Sequence, residues 1–172
     1  MATAPESVRF CASCGYGMAT RSIRGVPRRV CEHCAHIHYA EPKVAVGVAV
    51  FRDDRLLLVR RTMEPGRGRW ALPGGYLDVG EDPRVAAARE AVEEAGVEVT
   101  VGDVIDVFAN PVDEGGAVFV LYAATWRSGE PAAGDDADAA GFFPRDGLPD
   151  IAFASTAHAI ERWSAKWQTG AP

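Results

Sequence analysis

The chain has 172 residues, 48% hydrophobic and 24% charged, which suits one packed domain with a small appendage. A net charge of −6 argues against a general polyanion binder. No apolar run approaches the ~20 residues a membrane span needs, and MATAPESVRF lacks an apolar signal core, so the expectation is a soluble cytoplasmic protein with no membrane association.

The charge is unevenly spread. Residues 1–42 hold five Arg against three Glu, while the remainder holds 13 basic and 21 acidic residues. A net-acidic domain that acts on phosphates needs metal ions to bring the two together.

Taken in chain order, the first feature is Cys11-x-x-Cys14, followed after sixteen residues by Cys31-x-x-Cys34. Each pair can fold as a tight turn aiming two thiolates at one point, and four soft ligands suit tetrahedral Zn²⁺. Gly15 follows the first pair, where such a turn often needs positive φ. A closed four-thiolate site leaves no position for water, so this zinc is expected to be structural. The alternative is a set of buried or redox-active thiols. His33, His36 and His38 crowd the second pair as solvated groups or replacement ligands. Arg21, Arg24, Arg28 and Arg29 read as a solvated ribbon surface before they read as a nucleic-acid patch. The boundaries expected are a zinc ribbon over residues 1–40 and a second, larger domain over 41–172, joined through Tyr39-Ala40-Glu41-Pro42.

Residues 43–51 are Val-rich and continuously apolar, as a strand buried on both faces is. Arg52-Asp53-Asp54 supplies a turn, and residues 55–61 read as its hairpin partner. A loop over 63–69 precedes a short strand, Trp70 to Leu77, interrupted by Pro73-Gly74-Gly75. From Asp82 to Ala95 the pattern is helical, with Asp82 as N-cap, Pro83 at the first position, and Val85, Ala88, Val92 and Ala95 at helical spacing. Gly96 ends the helix. Two strands, Val97–Ala109 and Ala117–Trp126, are followed by a polar loop over 129–140. Ser155 or Thr156 caps a last helix to about Gln168, striped by Ile160, Trp163 and Trp167.

The helix from Asp82 carries the chemistry. Glu90 and Glu94, four positions apart, face the same way, an arrangement that calls for a cation. All-oxygen ligands select hard ions, Mg²⁺ or Mn²⁺. Arg89 can pair with Glu93, Glu81 can reach the same cluster, and Gly75 lets its carbonyl approach the metal. Such an ion bridges diphosphate oxygens, so the reaction class is phosphoanhydride hydrolysis.

Gly75, Glu81, Arg89-Glu90-Ala91, Glu93-Glu94 and Gly96-Val97 stand at the spacing of the Nudix box, with Ala91 smaller than the usual aliphatic residue. The chain therefore resembles Nudix hydrolases. The resemblance implies an α/β/α sandwich with a mixed sheet, preceded here by the small four-Cys ribbon. It implies Glu90, Glu93 and Glu94 as Mg²⁺ ligands beside Gly75, Glu93 and Glu94 as catalytic groups, and Arg89 with Glu81 as the supporting pair. The ribbon, RGRWALPGGYLDVGE and IAFASTAHAI are similar to a subgroup related to plant FAD and ADP-ribose pyrophosphatases. That subgroup commonly carries a Glu in the loop before the last strand. Asp136 is the candidate for that role here, with Glu114 the other.

Trp70, Tyr76, Phe108 and Phe119 are candidate base-stacking residues, and Arg61 and Arg67 candidate phosphate contacts, each aromatic weighed against a core role. The substrate implied is a nucleotide-type small molecule such as ADP-ribose or FAD, cut to AMP and a phosphorylated remainder. NADH is a second reading, set back because residues 98–120 lack the SQPWPFPxS run of NADH pyrophosphatases. A nucleoside triphosphate sanitising enzyme is a third. A ligand-sensing or nucleic-acid-binding module is the non-enzymatic alternative, disfavoured by the intact box. A homodimer is a further expectation.

Overall fold

A computed structural model describes residues 8–109 and 116–169, with side chains described as far as residue 162. The chain divides into two compact units, Met1–Pro42 and Lys43–Pro172.

The first unit is a three-stranded antiparallel sheet, β1 (Met18–Ile23), β2 (Val26–Cys31) and β3 (Ile37–His38), in that order. Arg24 and Gly25 both take positive φ in the two-residue turn between β1 and β2, the geometry that matches strand twist. Among the described residues its buried apolar side chains are few: Cys11, Met18 and Cys31 cluster with Val8 and Cys14 against them, and Val30 is also buried.

The second unit is built on a seven-stranded mixed sheet among the described residues. Its main path runs β10 (Ala137–Pro144), β5 (Arg55–Arg61), β4 (Val44–Arg52), β9 (Val118–Ser128), β8 (Glu98–Ala109). β4 and β9 are parallel, from Val44↔Val118 to Phe51↔Thr125. β4 and β5 pair only beside their turn, at Phe51↔Leu56 and Arg52↔Arg55, and then part. The gap holds β6 (Trp70–Ala71), which pairs with β5, and β7 (Gly74–Tyr76), which pairs with β4. Glycine at position 74 is required here, because a Cβ would stand 2.8 Å from Gly47 Cα and overlap the Val46 carbonyl.

Helices cover both faces, giving the α/β/α sandwich. α1 (Pro83–Ala95) packs Ala86, Ala87, Ala91 and Ala95 onto Val46, Val48, Val50, Leu57, Val59 and Tyr122. α2 (Ala154–Thr169) places Ala159 among Ala49, Leu56, Leu58, Leu72 and Leu121 on the opposite face. Val46 to Val50 are all buried, as a strand between two helices must be.

Three local expectations are corrected. The α1 stripe is not Val85 and Val92, which are 61% and 50% exposed. Alanines face the sheet because the helix lies close enough to seat Glu90 and Glu94 against it. The expected loop over 129–140 stops early, since Ala137 to Ala140 belong to β10 and pair with Arg61, Arg60 and Val59. Pairing imposes the strand there on residues of weak β-propensity. Finally, α2 begins at Ala154, so neither Ser155 nor Thr156 is its cap; the buried Thr156 hydroxyl accepts from the Leu72 N–H instead (3.4 Å). The side chains of Trp163 and Trp167 lie outside the described residues.

Candidate active site and thiolate centre

α1 is delimited at both ends by its own sequence. Asp82 accepts from the N–H of Arg84 (2.8 Å) and Val85 (3.4 Å), and Pro83 takes the first turn without losing a bond. Gly96, at φ 67°, donates to Val92 O, and Val97 N–H reaches back to Ala91 O. These caps fix the phase of the helix, and the phase presents Glu90 and Glu94 to the sheet.

Both carboxylates are buried, at 7% and 8% exposure. Glu94 accepts from the Gly74 N–H (3.0 Å). Burial raises its pKa to about 7, against the pull of that N–H and with repulsion from Glu90 added. Burial likewise raises Glu90, opposed by the Arg89 guanidinium. Gly75 sits directly against Glu90, where a Cβ would stand 2.7 Å from Cδ of the carboxylate.

Arg89 organises the other acids. It meets Glu81 with two parallel bonds (Nε–Oε1 2.9 Å, Nη2–Oε2 3.0 Å). Its Nη1 donates to both Glu90 Oε1 (2.9 Å) and Glu93 Oε2 (2.8 Å). Its Nη2 also reaches Tyr76 O (3.4 Å), tying helix to β7. The Arg89 bonds hold Glu81 below the usual carboxylate range, and the Asp78 N–H adds to this.

The segment before β10 lies across the C-terminal end of α1. Ala132 N–H donates to Ala95 O (3.0 Å), and Gly134 N–H to Glu94 O (3.3 Å). A side chain at Gly134 would overlap the Glu93 carbonyl. Thr62 grips Asp136 O through both its N–H (3.0 Å) and hydroxyl (2.7 Å). This brings Asp136 within electrostatic reach of Glu94, and Asp135 within reach of Glu90.

The site residues expected from sequence therefore divide. Gly75, Glu81, Arg89, Glu90, Glu93 and Glu94 come together, and Arg61 and Asp136 join them through Glu94. Tyr76 is exposed with Lys43 Nζ 4.8 Å over its ring. Trp70 packs edge-on to Phe143 (4.7 Å) on the α2 side, away from the carboxylates. Phe108 and Phe119 lie on that face too. Arg67 is exposed and makes no hydrogen bond or ion pair among the described residues. Glu114 lies outside the described residues. Sequence reading passed over the Gly74 N–H, Lys43 and Asp135. A glycine before two adjacent acids, Gly134-Asp135-Asp136, was the available signal for the last.

In the first unit the four Sγ atoms lie within 4.8 Å of one another. Cys11–Cys34, Cys14–Cys31 and Cys14–Cys34 are 3.7, 3.5 and 3.4 Å apart. A disulfide needs about 2.05 Å, whereas Zn–S bonds of about 2.3 Å in a tetrahedron set S–S edges of about 3.8 Å. The donors therefore fit a tetrahedral thiolate ion. The Cys34 N–H, against burial and joined by the His33 N–H, brings the Cys31 thiol down to about 6. Gly15 takes φ 76°, and Ala35 takes the matching position of the second turn at φ 58°. His33 stacks on Tyr16 (4.1 Å) and does not belong to the cluster.

A mixed sheet between two helices, with a loop–helix–loop that gathers three carboxylates on one arginine and buries a fourth, Glu94, beside them, is the arrangement of a pyrophosphohydrolase. The chain belongs to the Nudix family: the family model described as NUDIX domain matches residues 41–164. A crystal structure of a Nudix hydrolase from Nitrosomonas europaea superposes with a TM-score of 0.86 at 31% identity, covering 95% of this chain and 94% of that one. A protein of Methanocaldococcus jannaschii named ADP-ribose pyrophosphatase is 36% identical over 117 residues, 67% of this chain and 69% of that protein. A protein of Edwardsiella ictaluri named NAD-capped RNA hydrolase NudC is 36% identical over 94 residues, 55% of this chain but 35% of that protein. Among the described residues no helix is long and apolar enough to cross a membrane.

Proposed function

We propose that this Nudix pyrophosphohydrolase cleaves a nucleoside diphosphate linked to a second moiety, of the ADP-ribose or FAD type, to AMP and a phosphorylated remainder. The observation that carries this reading is the pair of buried carboxylates, Glu90 against Gly75 and Glu94 on the Gly74 N–H, with no cationic side chain among the described residues reaching Glu94 by a hydrogen bond or ion pair. Two buried acids side by side must either hold a proton or meet a compensating cation.

Glu90, Glu93, Glu94 and the Gly75 carbonyl would hold Mg²⁺ or Mn²⁺, an all-oxygen set suited to a hard ion. When bound, the ion supplies positive charge against the diphosphate oxygens and Lewis acidity at the reacting phosphorus. Arg89 and Glu81 act as positioning residues, because the fork on Glu81 fixes the guanidinium that orients Glu90 and Glu93. Asp136, within electrostatic reach of Glu94, is assigned as the base for the attacking water, with Asp135 beside it in sequence. Arg61 places positive charge near Glu94 and is assigned as a phosphate contact. Tyr76, with Lys43 over its ring, offers an exposed aromatic face at the rim. The four thiolates would hold Zn²⁺ as a structural ion, with no open position for chemistry.

The relative from M. jannaschii supports ADP-ribose as the substrate class. The NudC relatives support a second reading, an NAD-capped RNA or NADH substrate. A panel of ADP-ribose, FAD, NADH and nucleoside triphosphates at matched concentration with Mg²⁺ separates these. ADP-ribose or FAD is expected to turn over fastest; preference for NADH or a triphosphate overturns the substrate assignment.

A further inference from the structure

Four of the five ribbon arginines, Arg21, Arg24, Arg28 and Arg29, lie on or beside the hairpin strands, and the structure separates them. Arg29 is internally committed: Nε donates to Val8 O (2.9 Å), Nη1 to the Thr20 hydroxyl (3.1 Å), and Nη2 to Met18 O. It stitches the sheet to the segment before it. Arg21, Arg24 and Arg28 do none of this. No carboxylate pairs with any of the three among the described residues.

Their placement works against the hairpin. The β1–β2 register sets Arg21 directly opposite Arg28. Like charges facing across an antiparallel pair are destabilising. Arg24 stands at the tip of the same hairpin, three residues from Arg21 and four from Arg28, with φ 51°. The first position of such a turn favours Asn, Asp or Gly, and a long side chain there is disfavoured. Three cations thus crowd one end of a small hairpin, two by direct opposition and one in an unfavourable backbone conformation. An anion that spans them removes the repulsion.

The neighbouring aromatic narrows the anion. Register puts Arg21, Arg28 and the residue after His38 on one face, since Arg29 pairs with His38 on the other. That residue is Tyr39, whose ring lies 5.0 Å from Arg28 Cζ and which is 53% exposed. Cations in line with an exposed ring suit a chain that alternates phosphates with bases whose faces are free. A duplex hides those faces, and a membrane surface has none.

We propose that this end of the ribbon binds single-stranded nucleic acid, with Arg21, Arg24 and Arg28 on successive phosphates and Tyr39 stacking a base. The inference does not depend on which diphosphate the catalytic unit cleaves.

The test uses the full zinc-loaded chain and 3′-fluorescein 12-nucleotide probes, oligouridylate and oligothymidylate, each with a 5′-hydroxyl. Neither contains a phosphoanhydride, so neither is a substrate. Fluorescence anisotropy is expected to show binding of one or both, telling RNA from DNA. Replacing Arg21, Arg24 and Arg28 together by Gln should weaken binding at least ~10-fold at low salt and flatten the log Kd–log[salt] slope by about 2, from ~0.7 per phosphate contact. Tyr39→Ala should weaken binding about tenfold while leaving that slope unchanged. Arg24→Asn suits the turn better than arginine does, so the hairpin is retained, and it should still lower the slope by about 0.7. All variants should keep wild-type zinc content and ADP-ribose turnover. No binding of either probe overturns the proposal, as does wild-type binding by Arg24→Asn and Tyr39→Ala. Equal affinity for duplex RNA removes the stacking role and overturns it in this form. Arginine-dependent binding to phosphatidylserine vesicles without oligonucleotide binding assigns the patch to membranes instead.

Discussion

Glu94 shows most directly how burial and function meet in one side chain. Its pKa of about 7, against an ordinary 4.5, comes mainly from burial, so without metal the folded state holds its proton more tightly than the unfolded chain does. Stability contributed here is therefore present at low pH and lost as pH rises from about 4.5 through about 7. In magnesium-free buffer at about pH 8, Glu94→Gln should melt above wild type, and the gap should close near pH 4, as thermal melts across pH will show. Near pH 6, below the Glu94 pKa of about 7, added Mg²⁺ should stabilise wild type and release a proton, with a much smaller effect on the variant. Turnover by Glu94→Gln should fall by about 10²-fold or more, and full activity would remove Glu94 from the metal site. Adjacent glycines behave differently. Gly75→Ala intrudes on Glu90 alone, so it should abolish Mg²⁺-dependent turnover with a modest change in melting temperature. Gly74→Ala strikes the β4 backbone, so it should lower stability by roughly 1–3 kcal/mol as well. Equal melting temperatures for the two would contradict the packing of β7.

At the scale of elements, α1 is a helix whose small face is the working one. Alanines at 86, 87, 91 and 95 let it settle closely on the sheet, and the valines that sequence periodicity favoured stay outside. Enlarging the buried face should therefore be costly and changing the valine face should not. Ala91→Val is expected to lose roughly 1–3 kcal/mol in urea unfolding, while Val92→Lys should stay within about 0.5 kcal/mol. The reverse order would mean that the helix phase is wrong. The segment before β10 is the other decisive element. Its backbone caps α1 through Ala132 and Gly134, and the same contacts deliver Asp135 and Asp136. Gly134→Ala should push this segment off the helix end and depress kcat at least as far as Asp136→Asn does, since it displaces both Asp135 and Asp136.

For the whole molecule, the two units are stabilised by different physics. Residues 43–172 bury two hydrophobic clusters, one on each face of the sheet. Among the described residues the ribbon buries Cys11, Met18, Val30 and Cys31 and little else, so its fold is expected to depend on the ion that its thiolates would hold. Cys31→Ser should lower bound zinc from about one per chain toward zero. Hydrogen exchange should then show lost protection over residues 11–38 while the amides of α1 stay protected. Protection retained across the ribbon in a zinc-free protein would contradict this dependence.

Much of this was legible from residues alone. Both Cys pairs could be read as one tetrahedral centre because ligand spacing is local. The box could be read because i, i+4 carboxylates, an N-capping Asp82 and a C-capping Gly96 are consequences of helix geometry that need no partner. Tertiary structure decided the rest. Which face of α1 is buried depends on how close a sheet lies, which no helical period records. Where β10 begins depends on β5, since Ala137 to Ala140 carry little strand preference of their own. Trp70 went to the α2 side because β6 pairs with β5 in that phase. The arginines of the ribbon differ only through register, which turned Arg29 inward to the backbone and set Arg21 against Arg28. Sequence by itself determined the local chemistry of this protein: the ligand sets, the caps and the helix. Only the tertiary structure decided which side chains share a face, because that is set by long-range pairing between segments with no local signature of their partners.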